Sequence, residues 1–149
     1  MALITAVVML TASLPLNIQA VFAAETNYGD FTVTTDVSGG VSYSNNVLTI
    51  SSAGEYTISG TSTSDRVEVD ASSGEVVITF DGLSITSGNT PFDITENFMG
   101  NADVTIKLKG QNTLTSNYPI TTSEYKGYAG LQKTNRYNSQ YNKLTITSA

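Results

Sequence analysis

The 149-residue chain contains no cysteine, no histidine and no tryptophan. Without cysteine there are no disulfides, no thiolate metal sites and no thiol nucleophile. Without histidine the commonest general base, the commonest zinc ligand and any Ser-His-Asp triad are missing. Most familiar hydrolase chemistry is thereby excluded. Charge is scarce as well, at 13% of residues, and the 7 basic against 13 acidic side chains leave a net charge of −6. A nucleic-acid binder would need a basic footprint, and this balance argues against one. What fills the chain is Ser, Thr, Asn and Gly, a mixture too uncharged for a disordered polyelectrolyte and too polar for a helical bundle. It points to a single β-rich, exported domain.

The long apolar run is confined to the start. Met1 to Leu14 is almost purely apolar, Pro15 breaks it, and Val21-Phe22-Ala23 places small residues at positions −3 and −1 of a cleavage site after Ala23. Residues 1–23 are therefore expected to be a signal peptide, with no membrane span after its removal, because the run is shorter than the roughly 20 residues a spanning helix needs. The expected location is secreted or cell surface. No Lys or Arg precedes Arg66, which places the expected start upstream of Met1. The strand-like Leu144-Thr-Ile-Thr-Ser148 has nothing after it to cover an edge, so the chain is expected to be cut from a longer secreted protein.

Between these ends the sequence repeats. Leu48, Val76 and Val104 stand 28 residues apart, and Ile50, Ile78 and Ile106 repeat the interval. Ile58, Ile85 and Leu114 follow within each unit, and Val67/Val69, Phe92/Ile94 and Ile120 mark a third segment. Segments such as Val76-Val-Ile-Thr-Phe80 alternate apolar and other residues, the period of a strand. Gly82 and Gly110, like Pro91 and Pro119, recur at 28 and mark corners. Three strands and three corners in 28 residues describe one coil of a parallel β-helix, stacked about 4.8 Å from the next. A single coil cannot bury its apolar face, so about four coils over residues 47–149 are expected to stack beneath an N-terminal cap at 24–46. In that cap Phe31-Thr-Val33 and Val41-Ser-Tyr43 would flank the turn Ser38-Gly39-Gly40. An antiparallel β-sandwich is the alternative fold.

After Val104 and Ile106 the next match is Leu144 and Ile146, which leaves about twelve extra residues, roughly 124–142. That stretch and its borders hold Tyr118, Tyr125, Tyr128, Tyr137 and Tyr141 with Lys126, Lys133, Arg136 and Lys143. An insertion projects from the flank of a solenoid, where functional residues favour loops on a rigid scaffold. A tyrosine ring stacks on the C–H face of a pyranose while its hydroxyl bonds sugar hydroxyls, and Lys or Arg would favour carboxylated sugars. The candidate carbohydrate-binding residues are therefore Tyr118, Tyr125, Tyr128, Tyr137, Tyr141, Lys126, Lys133 and Arg136. The same tyrosines could serve only to cover the coil flank.

In the third segment Val67-Glu68-Val69 should lie over Phe92-Asp93-Ile94, bringing Glu68 and Asp93 side by side. Like charges so placed repel, and calcium, which takes carboxylate oxygens, would relieve them. Glu68 and Asp93 are thus the candidate metal pair, with Glu75 and Asp103 a second repeat-equivalent pair. The alternative is a solvated acidic face. No nucleophile or catalytic base stands out, and Lys107 and Lys109 read as strand lysines.

Gly54-Glu-Tyr-Thr-Ile-Ser-Gly60-Thr, Val67-Glu-Val-Asp70-Ala and Val76-Val-Ile-Thr-Phe-Asp81-Gly82-Leu-Ser-Ile-Thr-Ser87 are moderately specific motifs. With Val104-Thr-Ile-Lys-Leu-Lys-Gly110 and Leu144-Thr-Ile-Thr-Ser-Ala149, the chain from about Phe31 resembles the secreted carbohydrate-binding parallel β-helix family of clostridia and related Gram-positive bacteria. The resemblance implies a pectate-lyase-like right-handed β-helix that binds plant-type polysaccharides, cellulose or pectin-like and including acidic ones, with calcium in or near its sites. It carries over no catalytic residue. The resulting expectation is a non-catalytic binding module. A structural repeat of a surface adhesin and a calcium-dependent polysaccharide lyase are the alternatives.

Overall fold

The computed structural model describes residues 23–95, 102–118, 128–134 and 143–149, and residues 1–22 of the segment 1–23 expected to be a signal peptide lie outside them. The described residues form thirteen strands and no helix. They are β1 (Ala24–Tyr28), β2 (Phe31–Thr35), β3 (Val41–Ser44), β4 (Val47–Ile50), β5 (Gly54–Ser62), β6 (Arg66–Val69) and β7 (Glu75–Asp81). There follow β8 (Ser84–Ser87), β9 (Phe92–Ile94), β10 (Asp103–Lys109), β11 (Thr113–Ser116), β12 (Leu131–Lys133) and β13 (Leu144–Ser148). An eight-stranded sheet runs β1-β2-β5-β7-β10-β13 with β8 and β11 attached through β5, and a five-stranded sheet runs β12-β9-β6-β4-β3.

Both sheets are mixed, and neither closes into a barrel. Pairing is parallel along β5-β7-β10-β13 and along β4-β6-β9-β12, and antiparallel at β1-β2, β2-β5 and β3-β4. Sequence alternation sets which side chains face inward. In β7, for example, Val76, Ile78 and Phe80 are buried while Val77 and Thr79 are half-buried on the other face. In-register pairing then piles like on like. Tyr56, Ile78, Ile106 and Ile146 share one column, and Leu48, Val67, Phe92 and Leu131 share another. The two sets meet in one core, where the rings of Phe80 and Phe92 touch edge-on at 5.0 Å and 62°.

The 28-residue interval is real for one pair of strands and coincidental for another. Val76 pairs with Val104 and Ile78 with Ile106, and the expected 40-residue step to Leu144 and Ile146 is also present. Leu48 and Ile50, however, do not lie over Val76 and Ile78. They belong to the other sheet and stack on Val67 and Val69. The column above Val76 is supplied instead by β5, with Gly54 opposite Val76 and Ile58 opposite Phe80, so the interval along the chain is shorter there than between Val76 and Val104. Ile58 is accordingly not the mate of Ile85, which lies beside Ser62 and Leu114. The third column follows the sequence from Val67 to Phe92 and continues in Leu131. Ile120 and Pro119 fall outside the described residues.

The turn glycines behave as the repeat requires. Gly82 and Gly110 both adopt left-handed φ, +67° and +70°, and Gly82 N–H donates to the Lys109 carbonyl at 3.1 Å. The N-terminal strands do not pair with one another across Ser38-Gly39-Gly40. β1 and β2 extend one sheet, β3 extends the other, and each sheet is thus covered at its own upper edge. The two covers are tied together by Asp65, only 3% exposed, whose Oδ2 accepts from the Tyr43 hydroxyl at 2.9 Å and from Asp30 N–H at 3.1 Å. A Cβ on Gly29 would collide with both Asp65 Oδ2 and Tyr43.

Candidate functional site

Parallel pairing of β6, β9 and β12 produces a row of side chains across three strands. Glu68 pairs with Asp93 and Asp93 with Gln132, as the alternation of each strand demands. Arg66, two residues before Glu68 and so on the same face, closes on it with Nη2 2.7 Å from Glu68 Oε2. Arg66, Asn89, Thr90, Asp93, Tyr128 and Gln132 line a cleft of about 230 Å³. Thr90 Oγ1 donates to Gln132 Oε1 at 3.2 Å, and Gln132 Nε2 donates to Thr134 Oγ1 at 3.1 Å, which fixes the amide. Beside the cleft the Tyr118 and Tyr128 rings meet at 4.5 Å with an interplanar angle of 60°.

Asp93 is the unsatisfied member of this row. Its Oδ1 is buried with no hydrogen-bond partner. Burial pushes its carboxyl above the ordinary carboxylate range, Glu68 adds to the rise and Arg66 opposes it. The folded state therefore holds the Asp93 proton more tightly than the unfolded chain. Its contribution to stability is fully present below the unfolded pKa and is lost as pH rises through the raised folded value. Asp93→Asn should consequently raise the urea midpoint at pH 7 and leave it nearly unchanged at pH 3. Equal midpoints for the two proteins at pH 7 would contradict this account.

The expected acidic pairing is thus present, but the structure adds a counter-charge that relieves it in part. Glu68 gives one oxygen to Arg66, and among the described residues no group of three or more acidic side chains converges. The Asp93 carboxylate, with its orphan Oδ1, lines the cleft and the Glu68 carboxylate stands beside it in the row, which suits a cation only if further oxygens come from a ligand. The second pair, Glu75 and Asp103, is also in register. Its members are already engaged, Glu75 Oε1 accepting from the Thr105 hydroxyl at 3.3 Å and Asp103 Oδ1 from Lys143 N–H at 2.7 Å.

Of the tyrosines and basic residues read from the sequence, Tyr118 and Tyr128 come together and Tyr128 lines the cleft. Lys133 pairs with Ile94, so it alternates away from Gln132, and it is Gln132 that reaches the cleft. Tyr125, Tyr137, Tyr141, Lys126 and Arg136 lie outside the described residues. Arg66, Asn89, Thr90 and Gln132 escaped the sequence reading. Arg66 was within reach of it, since the Arg-Val-Glu alternation of residues 66–68 puts Arg66 and Glu68 on one face, and Arg66 is the sole basic residue before Lys107.

A comparison with family models matches residues 44–135, more than half of the chain, to the one described as "Carbohydrate-binding domain-containing protein". Neither the curated proteins nor the solved structures include a match.

Proposed function

The chain belongs to the family of carbohydrate-binding domain-containing proteins, and from that premise we propose that it is a secreted, non-catalytic module that holds plant-type, acidic polysaccharide in the Arg66–Asp93–Tyr128 cleft. The observation that carries this reading is the composition of the cleft. It combines one aromatic ring, a guanidinium and an orphan carboxylate oxygen with the neutral polar side chains of Asn89, Thr90 and Gln132. A sugar ring needs such a set: an apolar face for its C–H bonds and converging donors and acceptors for its hydroxyls. Arg66 retains free N–H donors after its bond to Glu68, and these suit a uronate carboxylate.

We read the winding as a right-handed parallel β-helix. The parallel, in-register columns support it, and right-handedness follows the usual rule for parallel crossovers. Calcium enters the proposal as an aid to binding. Glu68 and Asp93 would hold it, and the glycan would supply part of the six to eight oxygens that the ion takes.

Affinity electrophoresis in gels containing polygalacturonate, with calcium and with chelator, tests the reading. Tyr128→Ala should weaken retardation about 5- to 30-fold, corresponding to the roughly 1–2 kcal/mol expected for a lost ring contact. A folded wild-type protein that runs unretarded on both polygalacturonate and cellulose gels would refute it. A chelator with no effect would remove calcium from the proposal and leave the cleft.

A further inference from the structure

On the far side of the eight-stranded sheet from the core lies a second concavity of about 270 Å³ that the cleft does not explain. Register builds its floor. Thr34 pairs with Thr57, Thr57 with Thr79 and Thr79 with Lys107, so three hydroxyls and one ammonium form a straight row across β2, β5, β7 and β10. Each step is one strand spacing, and the row spans about 14 Å. Val77, half-buried in the adjoining row, offers an apolar surface beside the hydroxyls. All four members of the row are only half-buried and remain open to a ligand.

The charges in this groove are separated. Lys109, two residues beyond Lys107, is paired with Asp81 at 2.8 Å, whereas Lys107 has no ion-pair partner among the described residues. Asp36 and Glu55 stand on the groove wall near the opposite end of the row. A ligand bearing carboxylates is thus attracted at one end and repelled at the other, which fixes its direction.

We propose that this groove is a second glycan-binding site, taking an extended segment of an acidic polysaccharide with its hydroxyls on Thr34, Thr57 and Thr79 and a uronate carboxylate on Lys107. The strand spacing is close to the length of one pyranose unit, so successive sugars meet successive strands. Threonine hydroxyls donate and accept, matching sugar hydroxyls, and the fixed β-sheet costs no ordering on binding. The proposal rests on the carbohydrate-binding reading, and it makes the module bivalent toward a long chain, with the gain in avidity that two sites on one polymer bring.

Isothermal titration with a trigalacturonate separates the two. The wild type is expected to show two sites, Tyr128→Ala to weaken one, and the paired substitution Thr79→Val and Lys107→Met to weaken the other about 10- to 100-fold, the range of a lost hydrogen bond to a charged group. An unchanged urea midpoint verifies that the near-isosteric pair leaves the fold intact. One site that responds to Tyr128→Ala and is indifferent to the groove substitutions would overturn this inference and leave the cleft standing. Absence of any binding by the wild type would overturn the carbohydrate reading itself, and the groove with it. Loss through the groove substitutions alone would support the groove and displace the cleft.

Discussion

Replacing Phe92 by Ala is expected to lower the stability of the domain by about 3–5 kcal/mol, a large part of the 5–15 kcal/mol available to a typical domain. Phe92 is fully buried. It stands in the column between Val67 and Leu131 and presses edge-on against Phe80 of the other sheet, so its ring belongs to both the vertical and the lateral packing of the core. Truncation would leave a cavity that a stack of hydrogen-bonded strands cannot close, because the strand spacing is fixed by backbone bonds. The measurement is a urea titration, in which the midpoint should fall while the slope stays that of the wild type. A loss below about 1 kcal/mol would mean that the layers relax independently and that the core is not the single unit described. Asp93, on the opposite face of the same three-residue strand, lines the cleft, so the proposed binding would also depend on β9 holding its place.

The legibility of this architecture in the sequence followed the chemistry that repeats. Val76 to Phe80 and Val104 to Leu108 carry the same alternation at one interval, and there the register could be counted directly. Glu68 beside Asp93 was equally countable, because both sit between two inward apolar residues in strands of matching pattern. The first interval was misleading for a physical reason. Leu48 and Ile50 have the same alternation as Val76 and Ile78, and periodicity reports which face a residue takes but not which sheet it joins. The segment that continues the Val76 column begins with Gly54, which has no side chain to announce it, and includes the buried Tyr56. The cleft was only partly legible. Tyr128 was visible as an aromatic in an insertion, but Asn89, Thr90 and Gln132 are ordinary polar residues whose convergence depends on the β8–β9 connection and β12 coming together from distant parts of the chain. Neutral polar side chains carry no local signal of that kind. Lys133 carries the charge that sequence displays, while strand alternation gives the adjacent Gln132 the position in the cleft.

Arg66→Ala is the second large effect expected, and it bears on specificity. Affinity for polygalacturonate fragments at the cleft should fall about 10- to 100-fold, in keeping with the roughly 1.5–3 kcal/mol of a hydrogen bond to a charged group, while affinity for a neutral glucan should change less than about threefold. The difference arises because the guanidinium contributes to a carboxylate what it cannot contribute to a hydroxyl, and because its removal leaves Glu68 and Asp93 adjacent without the cation that now stands beside them. A carboxylated ligand would then meet two uncompensated negative charges. Arg66→Lys should recover part of the affinity for the acidic ligand through charge alone, short of the bonds that a planar guanidinium makes. The backbone role of the residue is preserved in both variants, since Arg66 N–H bonds the Asn46 carbonyl at 3.0 Å whatever the side chain. Equal losses for acidic and neutral glycans would show that Arg66 acts by packing the cleft wall, and the selectivity assigned to it would have to move to another group.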